Sequence, residues 1–310
     1  MTTPAQIAVT VVIPTHNPDP GRLSRTLLGL RAQALPSPQV EVILVNNASA
    51  RFPDGAFFSA CAPGSFSIVE EPRLGLTSAR LAGFAAARGA VIVLVDDDNI
   101  LAPDYLAAAA QIGRDHPYLA SWSGNIELVF EPGSVPPPAL WRGYLAERSC
   151  PVALWSNDPA HNESTPWGAG MCLRRVLADA YRAHCAQDAG RLRLDLSGRD
   201  LTYGGDTDIA YFGCGLGFGK GVFPQLRLRH LIPPERCERG YLLRAAEGHA
   251  YSEWLHHWVL HGVVPSEPAA WGDRLKRRAR LALAGPEVRA NERARAAGHA
   301  RAARELRSSP

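Results

Sequence analysis

Three adjacent carboxylates give the clearest chemical signal in the sequence. Asp96, Asp97 and Asp98 directly follow the apolar run Val91–Val95, and Asn99 comes next. Carboxylates so close together repel one another, and a hard divalent cation such as Mg²⁺ or Mn²⁺ relieves that repulsion while it bridges substrate phosphates. The pattern therefore indicates a metal and phosphate site, with an acidic turn that caps a following helix as the simpler alternative.

Polar residues also follow two earlier apolar runs. Thr15 and Asn17 come after the first run, and Asn46 comes after the second. Their hydroxyl and amide groups are able to hydrogen-bond a nucleobase or to cap a helix. Further along, Arg80 ends the segment Arg73–Arg80 and is able to face phosphates, although a helix-surface arginine is the simpler interpretation in isolation.

Four short apolar runs, each followed by a turn or a helical pattern, are placed to position these residues. The predicted strands are Ile7–Ile13, Val40–Val45, Phe66–Val69 and Val91–Val95. Helical patterns occur at Gly21–Gln33 and Thr77–Arg88. Apolar strands that alternate with helices predict a mostly parallel sheet covered on both faces. In such sheets, ligands bind beyond the carboxyl ends of the strands, where the polar residues lie.

Three segments, in this order and spacing, resemble the nucleotide-binding half of glycosyltransferase family 2. They are VTVVIPTHN, VEVILVNNAS and RLGLTSARLAGFAAARGAVIVLVDDDN. The resemblance implies an inverting, nucleotide-sugar-dependent enzyme with an α/β fold of the GT-A type. This fold is a Rossmann-like three-layer sandwich with a mostly parallel central sheet. The resemblance extends, less tightly, over residues 7–245.

The resemblance assigns roles to residues at the strand ends. The residues implied to bind the nucleotide-sugar are Pro14, Thr15, Asn17, Asn46, Arg80, Asp96 and Asp97. Asp98 of the DxD motif and the later His230 are implied to bind the metal ion, Mn²⁺ or Mg²⁺. A UDP-sugar is the expected donor. GDP- or dTDP-sugars are alternatives, because Asn46 stands where the family usually has an aspartate that reads the base.

The second half is implied to carry the catalytic base and the acceptor. Asp206 lies in a segment that resembles the family's GED motif, with Gly205 in place of the glutamate, and is implied to take the proton of the acceptor hydroxyl. Trp167, Gly168 and Asp208 are implied to lie on the acceptor side. We expect a hexosyltransferase of polysaccharide biosynthesis that acts on a glycan, lipid-linked or small-molecule hydroxyl. A catalytically inactive nucleotide-binding module that acts as a partner subunit is the alternative.

The length and the charge distribution predict how the chain is organised. Of 310 residues, we expect a GT-A domain at 1–265, with a nucleotide-binding half at about 1–120 and an acceptor half at about 121–265. A basic, mostly helical C-terminal extension is expected at 266–310. The extension either contacts an anionic membrane surface or is a solvated helix.

Net charge and cysteine usage predict a cytoplasmic protein. A net charge of +3 does not call for a nucleic-acid partner. No apolar run reaches the ~20 residues that span a membrane, and the first residues lack the features of a signal peptide. The six cysteines show neither zinc nor disulfide spacing, which favours reduced thiols. These features are also compatible with a cytoplasmic protein that makes peripheral contact with the inner face of the membrane.

Overall fold

The computed structural model describes residues 7–36, 39–194, 202–265, 281 and 283–307. Its first half alternates strands and helices, as the apolar runs predict. The strands are β1 (Val9–Thr15), β2 (Val40–Asn47), β3 (Phe66–Glu71) and β4 (Val91–Leu94). The helices are α1 (Pro20–Arg31), α2 (Gly55–Cys61) and α3 (Leu76–Ala86). Asp19 and Asp54 accept hydrogen bonds from the first turns of α1 and α2, which fixes where these helices begin.

The second half is less regular. Its strands are β5 (Asn99–Leu101), β6 (Leu119–Phe130), β7 (Leu154–Ser156), β8 (Cys172–Arg174) and β9 (Gly219–Ile232). Its helices are α4 (Tyr105–Asp115), α5 (Ala139–Arg142), α6 (Arg175–Gln187), α7 (Gly205–Gly215), α8 (Pro234–Cys237), α9 (Arg239–His261) and α10 (Pro286–Arg307). The three aspartates after β4 lead into β5, so they do not cap a helix.

The nine described strands form one sheet. Their order is β3-β2-β1-β4-β8-β6-β9-β5, and β7 also pairs with β9. The first four strands are parallel to one another, and β6 is parallel to β9. β8 runs against β4 and β6, while β5 and β7 run against β9. Six strands therefore share one direction, which confirms the predicted α/β fold with a mostly parallel central sheet.

Helices cover both faces of this sheet. Val11 of β1 packs in one core with Leu27 of α1 and Leu106 of α4. Its neighbour Val12 packs in a second core with Phe84 of α3. Alternate residues of a buried strand thus enter opposite layers, as the geometry of a strand requires. The fold is therefore a sandwich of three layers. Because β1 is buried on both of its faces, its carboxyl end is held in place at the edge of the sheet.

The described part of the basic extension packs against the preceding helix. Leu306 of α10 is buried in a cluster with Tyr251 of α9. Tyr144 donates a hydrogen bond to Asn291 Oδ1 at 2.8 Å, and the Tyr251 hydroxyl donates to Glu305 at 2.7 Å. One face of α10 is therefore covered by the rest of the protein. The extension's residues 266–280, 282 and 308–310 lie outside the described residues.

Replacing Gly298 with alanine is expected to push α10 away from α9. An added Cβ would overlap the carbonyl oxygen of Glu247 and lie 2.9 Å from the backbone nitrogen of Tyr251. Because backbone atoms of a helix cannot shift alone, the free energy of unfolding should fall by about 1–3 kcal/mol, as in other overpacked sites. Urea denaturation measures the change.

The matched control is Gly285→Ala. Gly285 directly precedes α10, and a Cβ added there meets no atom of the described residues within 4 Å. Its unfolding free energy should stay within about 0.5 kcal/mol of the unsubstituted protein. Equal losses in both variants would contradict a tight contact between the two helices.

Candidate active site

The carboxyl ends of β1, β2 and β4 are tied together at one edge of the sheet. Thr15, at the end of β1, donates its hydroxyl hydrogen to the Asp97 carboxylate beyond β4. Beyond β1, the backbone N–H of Asn17 donates to Ser49 Oγ at 2.8 Å. Asn17 and Ala48 both have positive φ angles, of 50° and 52°. These bends turn the segments after β1 and β2 back at the same edge of the sheet. Both residues have left-handed backbone conformations, which non-glycine residues rarely adopt.

A buried charge cluster surrounds Asp98. Its Oδ2 lies 3.4 Å from His230 Nε2 and 3.1 Å from Arg236 Nη1. Its Oδ1 accepts a hydrogen bond from Asn99 Nδ2 at 3.0 Å. Strand pairing brings these groups together, because Asn99 of β5 lies opposite His230 of β9. The two predicted metal ligands, Asp98 and His230, are therefore neighbours.

The three carboxyl groups of this edge differ in their pKa. Burial opposes ionisation of Asp98, but His230 and Arg236 outweigh burial and lower its pKa. Burial and the negative charge of Asp98 raise the pKa of Asp97 to about 7. The same two causes raise the pKa of Asp96. An added cation at this edge would stabilise the ionised forms of Asp96 and Asp97.

Asp98 and His230 carry donor atoms that fit a divalent cation. Arg236 can only donate hydrogen bonds, and its Nη1 lies 3.1 Å from His230 Nε2, so Nε2 is the acceptor nitrogen. The other ring nitrogen, Nδ1, donates to the Leu145 carbonyl oxygen at 3.0 Å. In the neutral tautomer that carries its hydrogen on Nδ1, Nε2 presents a lone pair next to the Asp98 carboxylate, as a metal-binding histidine does.

The ligand set at this point is small. In the ranges that the structure describes, no three His, Cys, Asp or Glu side chains converge on one point. Mg²⁺ is usually held by one or two protein carboxylates together with substrate phosphates and water, at about 2.0–2.1 Å. Asp98 Oδ2 and His230 Nε2, which are 3.4 Å apart, are close enough for one ion to contact both.

Asn46 lies at the end of β2, and its amide is already hydrogen-bonded within the protein. Its Nδ2 donates to Glu70 Oε2 at 2.8 Å, and its Oδ1 accepts the Ser49 N–H at 3.3 Å. Glu70 belongs to β3 and adds a carboxylate beside the predicted base-binding residue. Pro14 is buried inside β1, one residue before Thr15, and so contributes to the shape of this edge from within the strand.

Asn47 organises the segment that leads into α3. It is buried, and its Nδ2 donates to the carbonyl oxygens of Glu71 and Arg73 at 3.0 and 2.8 Å. Its Oδ1 accepts the Gly75 N–H at 2.8 Å. These three bonds fix the start of α3, and with it the position of Arg80 one turn further on.

Arg80 connects the donor half with the predicted catalytic base. It is buried on α3, and its charge opposes the rise in the pKa of Asp96. A Cβ added to Gly168 would lie 2.8 Å from Arg80 Nη2 and 3.2 Å from Asp206 Oδ2. Asp206 accepts the N–H of Gly168 at 2.6 Å and that of Thr207 at 2.8 Å. Arg80, Gly168 and Asp206 therefore meet at one place.

The turn that contains Trp167 is held from two sides. The Trp167 backbone N–H donates to Ser123 Oγ at 3.2 Å. The Arg148 guanidinium lies 4.8 Å from the centre of the Trp167 ring and donates to the Thr165 carbonyl oxygen at 2.7 Å. The turn next to Asp206 is thus fixed in shape before any acceptor binds.

Asp208, which we expected on the acceptor side, makes its polar contacts inside the protein. Its side chain is fully buried. One carboxylate oxygen accepts the Tyr181 hydroxyl at 2.7 Å, and the other pairs with Arg191 and lies 3.5 Å from His256 Nε2. Side chains two residues apart on a helix do not share a face, so Asp206 and Asp208 point to different places. Asp208 instead anchors α7 to α6.

Three residues of the site were missed in the sequence. Arg236 follows His230 by six residues but belongs to no motif, and Glu70 is part of an acidic pair at the end of a short strand. Arg148 lies in the least recognisable stretch of the chain. Only Glu70 carried a usable signal, because in a parallel sheet the end of β3 reaches the same edge as the end of β2.

Comparisons with known proteins bear on this site. The fold defines an α/β class with a mostly parallel central sheet, and residues 10–127 match the model of the family described as Glycosyl transferase family 2. The predicted resemblance is therefore confirmed over this part of the chain, which contains β1 to β5 and the three aspartates. The match supports a glycosyltransferase.

Two individual proteins are similar to parts of the chain. Uncharacterized protein y4gI of Sinorhizobium fredii (strain NBRC 101917 / NGR234) is 30% identical over 112 residues, which cover 35% of this chain and 12% of that protein. The crystal structure of S. aureus TarS 1–349 matches 79% of this chain and 65% of its own chain, with 13% sequence identity and a TM-score of 0.46. The chain thus spans only a small part of the curated relative.

Within the residues that the structure describes, none of the helices has the length and apolar character needed to cross a membrane.

Replacing Asp208 with asparagine is expected to destabilise the protein in a pH-dependent way. Burial raises the pKa of Asp208, but His256 and Arg191 outweigh burial and lower it. The stabilisation is therefore fully present above the ordinary aspartate pKa of about 4, and it is lost as the pH falls through the lower native value. At pH 7 the free energy of unfolding should fall by about 3–5 kcal/mol, because Arg191 loses its buried counter-charge.

Urea denaturation at pH 7, 5 and 3 tests this expectation. The difference between the unsubstituted protein and Asp208→Asn should shrink at pH 3. Asp179→Asn is the control, because Asp179 forms an exposed ion pair with Arg182 on α6, and such pairs contribute less than about 1 kcal/mol. A difference that stays constant from pH 7 to pH 3 would contradict the ionised state of Asp208.

Proposed function

We propose that this protein is a metal-dependent, inverting glycosyltransferase that moves a sugar from a nucleoside-diphosphate sugar to an acceptor hydroxyl. The observation that carries the proposal is the approach of Arg80 and Asp206 to the same point beside Gly168. It joins a predicted proton acceptor to the edge of the sheet where three strand ends and three carboxylates meet. A binding site for the donor and a base for the acceptor are thereby adjacent.

The donor is proposed to lie along the carboxyl ends of β1, β2 and β4. In this proposal Thr15, Asn17 and Asn46 bind the nucleoside, and Asp96 and Asp97 lie on the side of its ribose and diphosphate. UDP-sugar is the first candidate. The amide of Asn46 both donates and accepts, so a GDP- or dTDP-sugar is also compatible with this pocket.

Asp98 and His230 are proposed to hold a divalent cation, Mn²⁺ or Mg²⁺. When bound, the cation neutralises the charge that develops on the leaving nucleoside diphosphate. The protein's contribution is a ligand pair whose orientation is already set, because the Leu145 carbonyl oxygen fixes the imidazole and Asn99 fixes the carboxylate. Arg80 supplies a buried positive charge that favours the ionised form of Asp96.

Asp206 is proposed to remove the proton from the attacking hydroxyl. Its two oxygens each accept a backbone N–H, from Gly168 and Thr207, so the carboxylate is held in one orientation. Remaining lone pairs on these oxygens are available to the acceptor hydroxyl. One base and one direct displacement at the anomeric carbon give inversion, as the family resemblance implies.

The acceptor and the site of action in the cell belong to the same proposal. The acceptor is a hydroxyl of a glycan, a lipid-linked sugar or a small molecule, bound beside Trp167. The six cysteines are free thiols, which suits a cytoplasmic enzyme. Exposed arginines on the outer face of α10, including Arg289 and Arg307, support peripheral contact with an anionic membrane surface.

Binding of the donor nucleotide is expected to require both a divalent cation and Asp98. Melting temperatures are measured with UDP, GDP, dTDP or CDP, each with and without Mn²⁺. One nucleotide should raise the melting temperature by about 3–5 °C, and only with Mn²⁺, because a ligand of the native state stabilises it by mass action. Asp98→Ala should lose this shift.

The control for this test is Asp104→Ala. Asp104 is exposed and forms an ion pair with Arg227 at 3.6 Å, outside the cluster around Asp98. Its variant should show the full nucleotide shift. A shift that survives in Asp98→Ala would refute the ligand role of Asp98. If no nucleotide gives a shift, the proposed donor site is wrong.

Asp206→Asn is expected to separate turnover from donor binding. The amide keeps the shape of the side chain but cannot take up a proton, so release of nucleoside diphosphate should slow by about 10²–10⁴-fold. The dissociation constant for the donor nucleotide should change by less than about threefold. A large loss of donor affinity with turnover retained would place Asp206 in the donor site.

A further inference from the structure

Arg236 lies where a divalent cation would contact both of its proposed protein ligands. Its Nη1 is 3.1 Å from Asp98 Oδ2 and 3.1 Å from His230 Nε2, and these two atoms are 3.4 Å from each other. The three atoms form a nearly equilateral triangle. The guanidinium nitrogen therefore occupies the point on which the carboxylate and imidazole lone pairs converge.

The surroundings of Arg236 hold it at this point. Asp98 and Asp97 attract its charge, and together with Tyr203 and Tyr241 they raise the pKa of Arg236, although partial burial of the side chain opposes this. In the neutral tautomer with the hydrogen on Nδ1, which donates to the Leu145 carbonyl oxygen, the contact also gives His230 Nε2 a hydrogen-bond donor. A positive charge at this point is thus part of the protein itself.

The chain around Arg236 allows the side chain to leave without disturbing the sheet. Arg236 belongs to α8, a single turn of four residues that follows β9, and none of its four residues is buried. His230, by contrast, is buried in β9. The Arg236 side chain is 36% exposed, so part of it already faces solvent. Rotation of a long side chain on an exposed turn is sufficient to open the point between Asp98 and His230.

We infer that Arg236 is a resident cation that fills the metal position in the nucleotide-free protein and must leave before a divalent ion binds to Asp98 and His230. The inference rests on the proposed metal site. Once displaced, the planar guanidinium would pair its N–H groups with the oxygens of a bound donor diphosphate. Metal binding and nucleotide binding are therefore coupled, because the diphosphate gives the displaced charge a new partner.

Removing the guanidinium should make the metal site accessible without nucleotide. Mn²⁺ binding to the full chain is measured by isothermal titration calorimetry with Mn²⁺ alone. Arg236→Gln should bind Mn²⁺ about tenfold more tightly than the unsubstituted protein, which is the scale of a typical coupling between two ligands. In the variant, Mn²⁺ should also raise the melting temperature more than in the unsubstituted protein. Equal or weaker Mn²⁺ binding in Arg236→Gln would overturn the inference.

Two further variants make the result specific. Arg239→Gln removes a nearby arginine that pairs with Glu287 at 3.3 Å, outside the Asp98 cluster, and should leave Mn²⁺ affinity unchanged. Arg236→Gln combined with Asp98→Ala should lose the gain in Mn²⁺ affinity. Tight binding that persists in this double variant would show that the ion sits elsewhere.

A conservative variant protects the test if Arg236→Gln does not fold. Arg236→Lys keeps the charge but loses the planar fork, so it should tighten Mn²⁺ binding by a smaller factor than the glutamine variant. An unchanged Mn²⁺ affinity in a folded Arg236→Lys would count against the inference.

Failure of this inference and failure of the proposed function give different results. If Arg236→Gln leaves Mn²⁺ affinity unchanged but the nucleotide-induced shift in melting temperature still requires Mn²⁺, the proposed donor site is supported and the role of Arg236 is refuted. If Mn²⁺ affinity rises in Arg236→Gln but the unsubstituted protein turns over no nucleotide-sugar, the role of Arg236 as a resident cation is supported and glycosyl transfer is refuted.

Discussion

Negative charge at the end of a buried strand is the constraint on which the site depends. Asp96, Asp97 and Asp98 follow β4, whose residues are all buried; Asp98 is buried and the other two are half-buried, so water solvates the three carboxylates only in part. Each of the three carboxylates is stabilised by a different group. Asp97 accepts the hydroxyl of Thr15, Asp96 lies in the field of Arg80, and Asp98 contacts His230 and Arg236. The remaining excess of negative charge is what a metal and a nucleotide diphosphate would use together.

This charge also joins the two halves of the chain. Asp98 belongs to the first half, but its partners come from the end of β9 and the turn that follows it. On the other side, Arg80 of α3 approaches Gly168, whose N–H holds Asp206. Electrostatic contacts between distant segments therefore place the proposed base near the proposed cation site. The helices cover the sheet and leave its carboxyl edge for these contacts.

Much of this arrangement could be predicted from the sequence, and the exceptions have physical reasons. The ends of β1, β2 and β4 were predictable, because long apolar strands in a parallel sheet must bring their polar neighbours to one edge. The buried pairing of Asp208 was not predictable, because a motif is linear, whereas side chains two apart on a helix diverge. Arg236 could not be found, because its position depends on how an irregular four-residue turn meets β9. The packing of α10 was equally hidden, since its small buried residues look like an alanine-rich solvated helix.

The most direct measurement is the position of Mn²⁺ in crystals grown with the nucleoside diphosphate that stabilises the protein most. Anomalous diffraction from manganese locates the ion independently of the protein atoms. A peak about 2–2.5 Å from Asp98 and His230, with the Arg236 guanidinium moved away from both, is the expected result. A guanidinium that still bridges Asp98 and His230 beside bound nucleotide, with no manganese peak at that point, would contradict the metal-dependent site.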